Sequence, residues 1–70
     1  MPYARNSDLP APVRAHLPAG AQDIYREAFN HAWDEYADRE PGRVEEIAHR
    51  VAWAAVKRRY RKAGHDWVPA

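Results

Sequence analysis

The chain contains no cysteine and no threonine, one serine and only three glycines in 70 residues. Without cysteine there is no disulfide, no thiolate zinc site and no sulfur nucleophile. Ser7 is the only serine, and no glycine-rich run precedes a helical segment, so the usual equipment for covalent catalysis or phosphate binding is missing. Long apolar runs are missing too. The longest, Val51 to Val56, has six residues, whereas a membrane span needs about 20. No charged-then-apolar leader opens the sequence, and the expectation is a soluble, cytoplasmic protein. Seventy residues allow one domain, residues 1–70, with no room for a large cofactor cleft. Of the 46% hydrophobic residues 14 are alanine, which leaves 18 larger apolar or aromatic side chains and therefore a thin core.

Charge balances in total, at +1, but not along the chain. Residues 1–42 carry −3 and residues 43–70 carry +4. Two neighbouring helices of opposite sign satisfy this pattern, as do two separate binding surfaces.

Pro10, Pro12 and Pro18, three of the six prolines, lie in the stretch just before the first long periodic segment. Ser7 or Asp8 can cap a short helix over Ala11 to Leu17, where Leu9, Val13 and Leu17 recur every four residues. From Ala19 to Asp38, Ala21, Ile24, Tyr25, Ala28, Phe29, Ala32, Trp33 and Tyr36 fall at steps of three and four. That is an amphipathic helix, with Asp23, Glu27, Asn30, Asp34 and Asp38 on its wet, acidic side. Pro41-Gly42 ends it and reverses the chain. Arg43 to Ala63 repeats the rule with Val44, Ile47, Ala48, Val51, Ala52, Ala55 and Val56, and Gly64 reads as the glycine that closes the helix. The fold class is all-α: a three-helix domain built on an antiparallel hairpin of two long helices. Ala28 and Ala32 would face Ala48, Ala52 and Ala55, with Ile24, Phe29, Ile47 and Val51 filling the layers between.

Two features of the third segment exceed what a hairpin needs. His49, Trp53, Val56 and Tyr60 form a second stripe displaced from the main apolar face. Either the N-terminal arm with Tyr3 and Leu9 and the tail with Trp67 and Val68 cover it, or it docks a protein partner, since Trp and Tyr are enriched in interface hot spots. His49, Trp53, Tyr60 and Trp67 are the candidate partner-binding residues. Arg43, Arg50, Lys57 and Arg61 form a straight basic stripe flanked by Arg58 and Arg59. These six are the candidate nucleic-acid contacts, with the ordinary solvated face as the competing reading. Helical spacing also sets His31 four residues from Glu27 and Glu35, and Glu45 four from His49. These pairs lie on separate helices and fall short of the three or more ligands a tight site requires, so neither a metal nor another cofactor is expected. No carboxylates converge in an apolar pocket, and the chain reads as a non-enzyme.

The blocks Tyr3 with Ser7-Asp8-Leu9-Pro10, Ala21 to Asn30 continuing to Ala32-Trp33, and Ala48 to Lys57, followed by Tyr60, Gly64 and Trp67, closely resemble the ChaB family over nearly the whole chain. The resemblance implies a small, mostly helical regulator of a cation/proton antiporter, cytoplasmic and without catalytic activity, that works by binding a protein. Some relatives have been proposed to bind DNA, which suits the basic stripe. The family fold further implies a small strand pairing, here expected to join the Tyr3 arm to the Trp67 tail. The connection Ala37 to Arg43 is shorter than the charged segment many relatives carry, and their lysine-rich tail is absent.

Overall fold

The computed structural model describes residues 2–70. A 3-10 turn at Asn6–Asp8 leads into helix α1 (Ala11–His16), helix α2 (Ala19–Tyr36), helix α3 (Val44–Arg59) and a two-stranded antiparallel sheet, β1 (Tyr60–Ala63) with β2 (Asp66–Pro69). No helix among the described residues is long and apolar enough to cross a membrane.

Each boundary has a local cause. Pro10 and Pro18 occupy the caps of α1 and α2, where a missing N–H costs nothing. The expected caps, Ser7 and Asp8, instead belong to the 3-10 turn, in which Asp8 Oδ2 accepts from the Arg5 backbone N–H at 3.1 Å. The Gln22 side chain donates to the Leu17 carbonyl at 2.8 Å and closes the elbow between α1 and α2. After Tyr36, the Arg39 and Glu40 amides both return to the Tyr36 carbonyl, and Arg43 N–H to the Glu40 carbonyl, so the chain reverses within a few residues. Glu45 and Glu46 lie in the first turn of α3 and Lys57, Arg58 and Arg59 in its last, both favourable to the helix dipole.

The helical hairpin forms as its alanines predict. Ala32, Ala48 and Ala52 are buried between α2 and α3, while Ala28 and Ala55 lie at the half-buried edge of the seam. Leu9, Val13 and Leu17 close over the same core together with Tyr25, Phe29 and Val56. Val51 departs from the expected packing. It is 38% exposed and fills no layer.

The C-terminal segment corrects the sequence reading in two ways. The third helix stops at Arg59 rather than Ala63, because Tyr60 turns to extended backbone and pairs with Pro69, Arg61 with Val68, Lys62 with Trp67 and Ala63 with Asp66. Aromatic and β-branched partners on the returning strand outweigh the helical propensity of the basic run. Gly64 is the turn of this hairpin, not a helix cap. Its φ of +65° is followed by a residue of negative φ, the order of a glycine-first type II′ turn. The strands therefore pair within the tail, and the arm is tied down by side chains instead: Tyr3 N–H donates to Asn30 Oδ1 at 3.0 Å and Asn30 Nδ2 donates to the Tyr3 carbonyl at 2.7 Å. Asn30, expected on the wet face, is buried for this reason.

Candidate partner-binding face

α2 presents Tyr25 and Phe29 one turn apart, and α3 presents His49 and Trp53 one turn apart. Antiparallel packing brings the two pairs together. Tyr25 meets Trp53 edge-on at 5.5 Å between ring centroids, His49 meets Trp53 at 6.2 Å, and β2 returns Trp67 to 5.5 Å from Trp53. On the other side Tyr25 stacks on Phe29 at 5.9 Å, and Phe29 meets Tyr3 at 4.9 Å. A continuous aromatic belt thus crosses the molecule from the N-terminal arm to the C-terminal hairpin. Edge-on and tilted contacts of this kind add about 0.5–1.5 kcal/mol per pair beyond area burial.

Exposure varies along the belt. Tyr25 is 1% exposed, Trp53 and Trp67 are half-buried, and His49 is exposed. The tail covers Trp53 only in part, while Tyr3 of the arm packs on Phe29. His49 Nδ1 lies 2.9 Å from the Tyr25 hydroxyl, which donates to it when the ring proton sits on Nε2. Burial first, then the neighbouring Tyr3 and the Glu45 carboxylate, push the Tyr25 phenol up to about 12, so it keeps its proton throughout the neutral range.

Of the candidate partner-binding residues the fold brings His49, Trp53 and Trp67 together. Tyr60 goes elsewhere: its hydroxyl lies over Gly20 in the first turn of α2, where a Cβ would overlap it. Val56, the fourth member of the predicted stripe, is wholly buried core. The sequence spacing marks Tyr25 only as a core position. Its polar role becomes visible only once His49 is known to face it across the helix pair.

The basic candidates divide. Arg43 is paired with Glu40 and Glu46, each at 3.5 Å, and Arg50 with Glu46 at 3.0 Å, in exposed bridges that leave little free charge. Lys57, Arg58 and Arg59 lie in the last turn of α3, and Arg61 with Lys62 on β1. The straight stripe ends at Lys57, since Arg61 is no longer on the helix. Arg58 and Arg59 also border a groove of about 400 Å³ lined by Ile24, Glu27, Ala28 and Ala55.

A family model described as ChaB matches residues 9–70. The chain is 57% identical over 70 residues to a protein of Escherichia coli K12 named "Putative cation transport regulator ChaB", with 94% of this chain and 92% of that one covered. A protein of the same name from Shigella flexneri matches to the same extent. Among solved structures, the one described as "NMR solution structure of the putative cation transport regulator ChaB" superimposes with a TM-score of 0.85 at 51% identity over 99% of both chains. Sequence blocks and backbone agree over almost the full length, and the chain belongs to the ChaB family.

Proposed function

We propose that this chain is a non-enzymatic regulator of cation transport, acting on a cation/proton antiporter by binding protein through the face formed by His49, Trp53 and Trp67. The family and the relatives' shared name support the regulatory role. The observation that carries the site is the half-buried Trp53–Trp67 pair at 5.5 Å. Two large rings already held in one geometry lose little further conformational freedom on binding, which suits them as anchors. Affinity capture from detergent-solubilised membranes tests this, comparing the wild-type chain with Trp67→Ala and with Arg58→Glu/Arg59→Glu. The expected result is retention of an integral-membrane transport protein by the wild type and the arginine variant and its loss with Trp67→Ala; equal retention by all three would contradict the site.

A second reading rests on a different observation. Lys57, Arg58, Arg59, Arg61 and Lys62 form a contiguous basic end with no ion pair among the described residues, in contrast to Arg43 and Arg50. This end suits phosphate contacts, whose affinity falls steeply with salt. Fluorescence anisotropy with a labelled duplex separates the readings. Binding that is abolished by Arg58→Glu/Arg61→Glu but kept in Arg43→Glu/Arg50→Glu would place nucleic acid on this end, and no binding at low salt would dismiss it.

A further inference from the structure

A groove of about 470 Å³ opens between the N-terminal arm and the start of α3, away from Trp67. Tyr3, Tyr25, Phe29 and His49 line it together with Glu45 and Glu46. Tyr3 is fixed in place. Both backbone polar groups of Tyr3 are held by buried Asn30, and its ring lies tilted against Phe29.

The charges at this groove are unequal. Glu46 is shared between Arg43 and Arg50, whereas the Glu45 side chain has no ion pair or hydrogen bond among the described residues. Glu45 sits in the first turn of α3, at the positive end of the helix dipole. Its negative charge reaches into the groove: after burial, it is a cause of the raised phenol pKa at both Tyr3 and Tyr25. An anion is therefore disfavoured here, and a neutral apolar group would leave the carboxylate unused. A metal ion would find one free carboxylate and a His49 Nδ1 already hydrogen-bonded. A planar organic cation meets both surfaces at once, its face on an aromatic ring and its edge on a carboxylate.

We propose that this groove receives an arginine side chain of a polypeptide partner, with the guanidinium over the Tyr3 ring and paired to Glu45. The proposal deepens the protein-binding reading; the two sites share His49, but Tyr3 and Glu45 lie outside the Trp53–Trp67 pair, so each can fail alone. A partner arginine seated here would lie at the opposite end of the aromatic belt from Trp67, and one extended segment would span both.

The test is an NMR titration of the full chain with the blocked tripeptide Gly-Arg-Gly and with the same peptide carrying neutral citrulline in place of arginine. Expected are shift changes at Tyr3, Glu45 and His49 with the arginine peptide alone, in a binding weakened by up to about fivefold by Glu45→Gln, which removes an exposed charge pair without touching the core. Tyr3→Leu keeps an apolar residue in the arm and should weaken binding. Equal shifts with both peptides, no shifts with either, or indifference to Glu45→Gln would overturn the proposal, and none of these outcomes bears on the Trp53–Trp67 face.

Discussion

Asn30 holds the backbone of Tyr3 on both sides, accepting its N–H at 3.0 Å and donating to its carbonyl at 2.7 Å across 27 residues of sequence. One side chain thus does for the N-terminal arm what a neighbouring strand would do. Among the described residues Asn30 is the buried polar one, at 7% exposure, and every buried side-chain polar atom there has a partner.

Asn30→Ala should therefore destabilise the domain by about 1–3 kcal/mol, the cost of two lost bonds to partly buried backbone. Asn30→Asp keeps the acceptor and loses the donor. Urea unfolding should rank the three proteins wild type, Asp, Ala, and the arm amides should exchange faster in both variants.

Tyr25 sets a pH dependence whose sign follows from its burial. The folded state holds the phenol proton more tightly than the unfolded chain, with a pKa of about 12 against the ordinary 10.0. Its contribution to stability is thus complete below pH 10 and is lost as pH rises through about 12. Urea midpoints at pH 8 and pH 11 should fall further for the wild type than for Tyr25→Phe. At pH 8 the phenylalanine variant should itself be less stable, by about 0.5–1.5 kcal/mol, through loss of the His49 bond.

The hairpin turn depends on Gly64, whose φ of +65° an L-residue adopts only with strain. Gly64→Ala should cost about 1–2 kcal/mol. Because a Cβ there meets nothing within 4 Å, the cost is conformational and not steric, and Gly64→Asn should recover part of it. Thermal unfolding of the three proteins checks the order.

Trp67 covers one side of Trp53, so Trp67→Ala should raise acrylamide quenching of the remaining tryptophan emission while leaving the far-UV helical signal unchanged. Stability should fall by about 0.5–1.5 kcal/mol, one aromatic contact. A collapse of the helical signal would mean that the hairpin helps hold α2 to α3 together.

The helical hairpin was legible because it is local: a spacing of three and four in Ala19–Tyr36 and in Val44–Arg59, broken by Pro41-Gly42, prescribes two helices and their order. The resemblance to ChaB was carried by the same blocks. What the periodicity hid is long-range. The basic run at 57–62 satisfies a helix pattern, and only pairing with Trp67 and Val68 draws Tyr60 to Ala63 into a strand. Asn30 sits at a solvent angle of α2 until the arm crosses it, and Val51 sits at a core angle of α3 where the structure leaves it open. The aromatic face was legible as His49, Trp53 and Trp67, while the separation of Tyr60 onto Gly20 and the pairing of Arg43 and Arg50 with glutamates depend on tertiary placement.

We have proposed that a protein partner in cation transport is regulated through the Trp53–Trp67 face. It is tested most directly by cation/proton exchange in membrane vesicles from cells lacking the endogenous protein, assayed with added wild-type chain or Trp67→Ala. The wild type should change the exchange rate and the folded Trp67→Ala variant should not. An unchanged rate with the wild type, or an equal change with both, would contradict it.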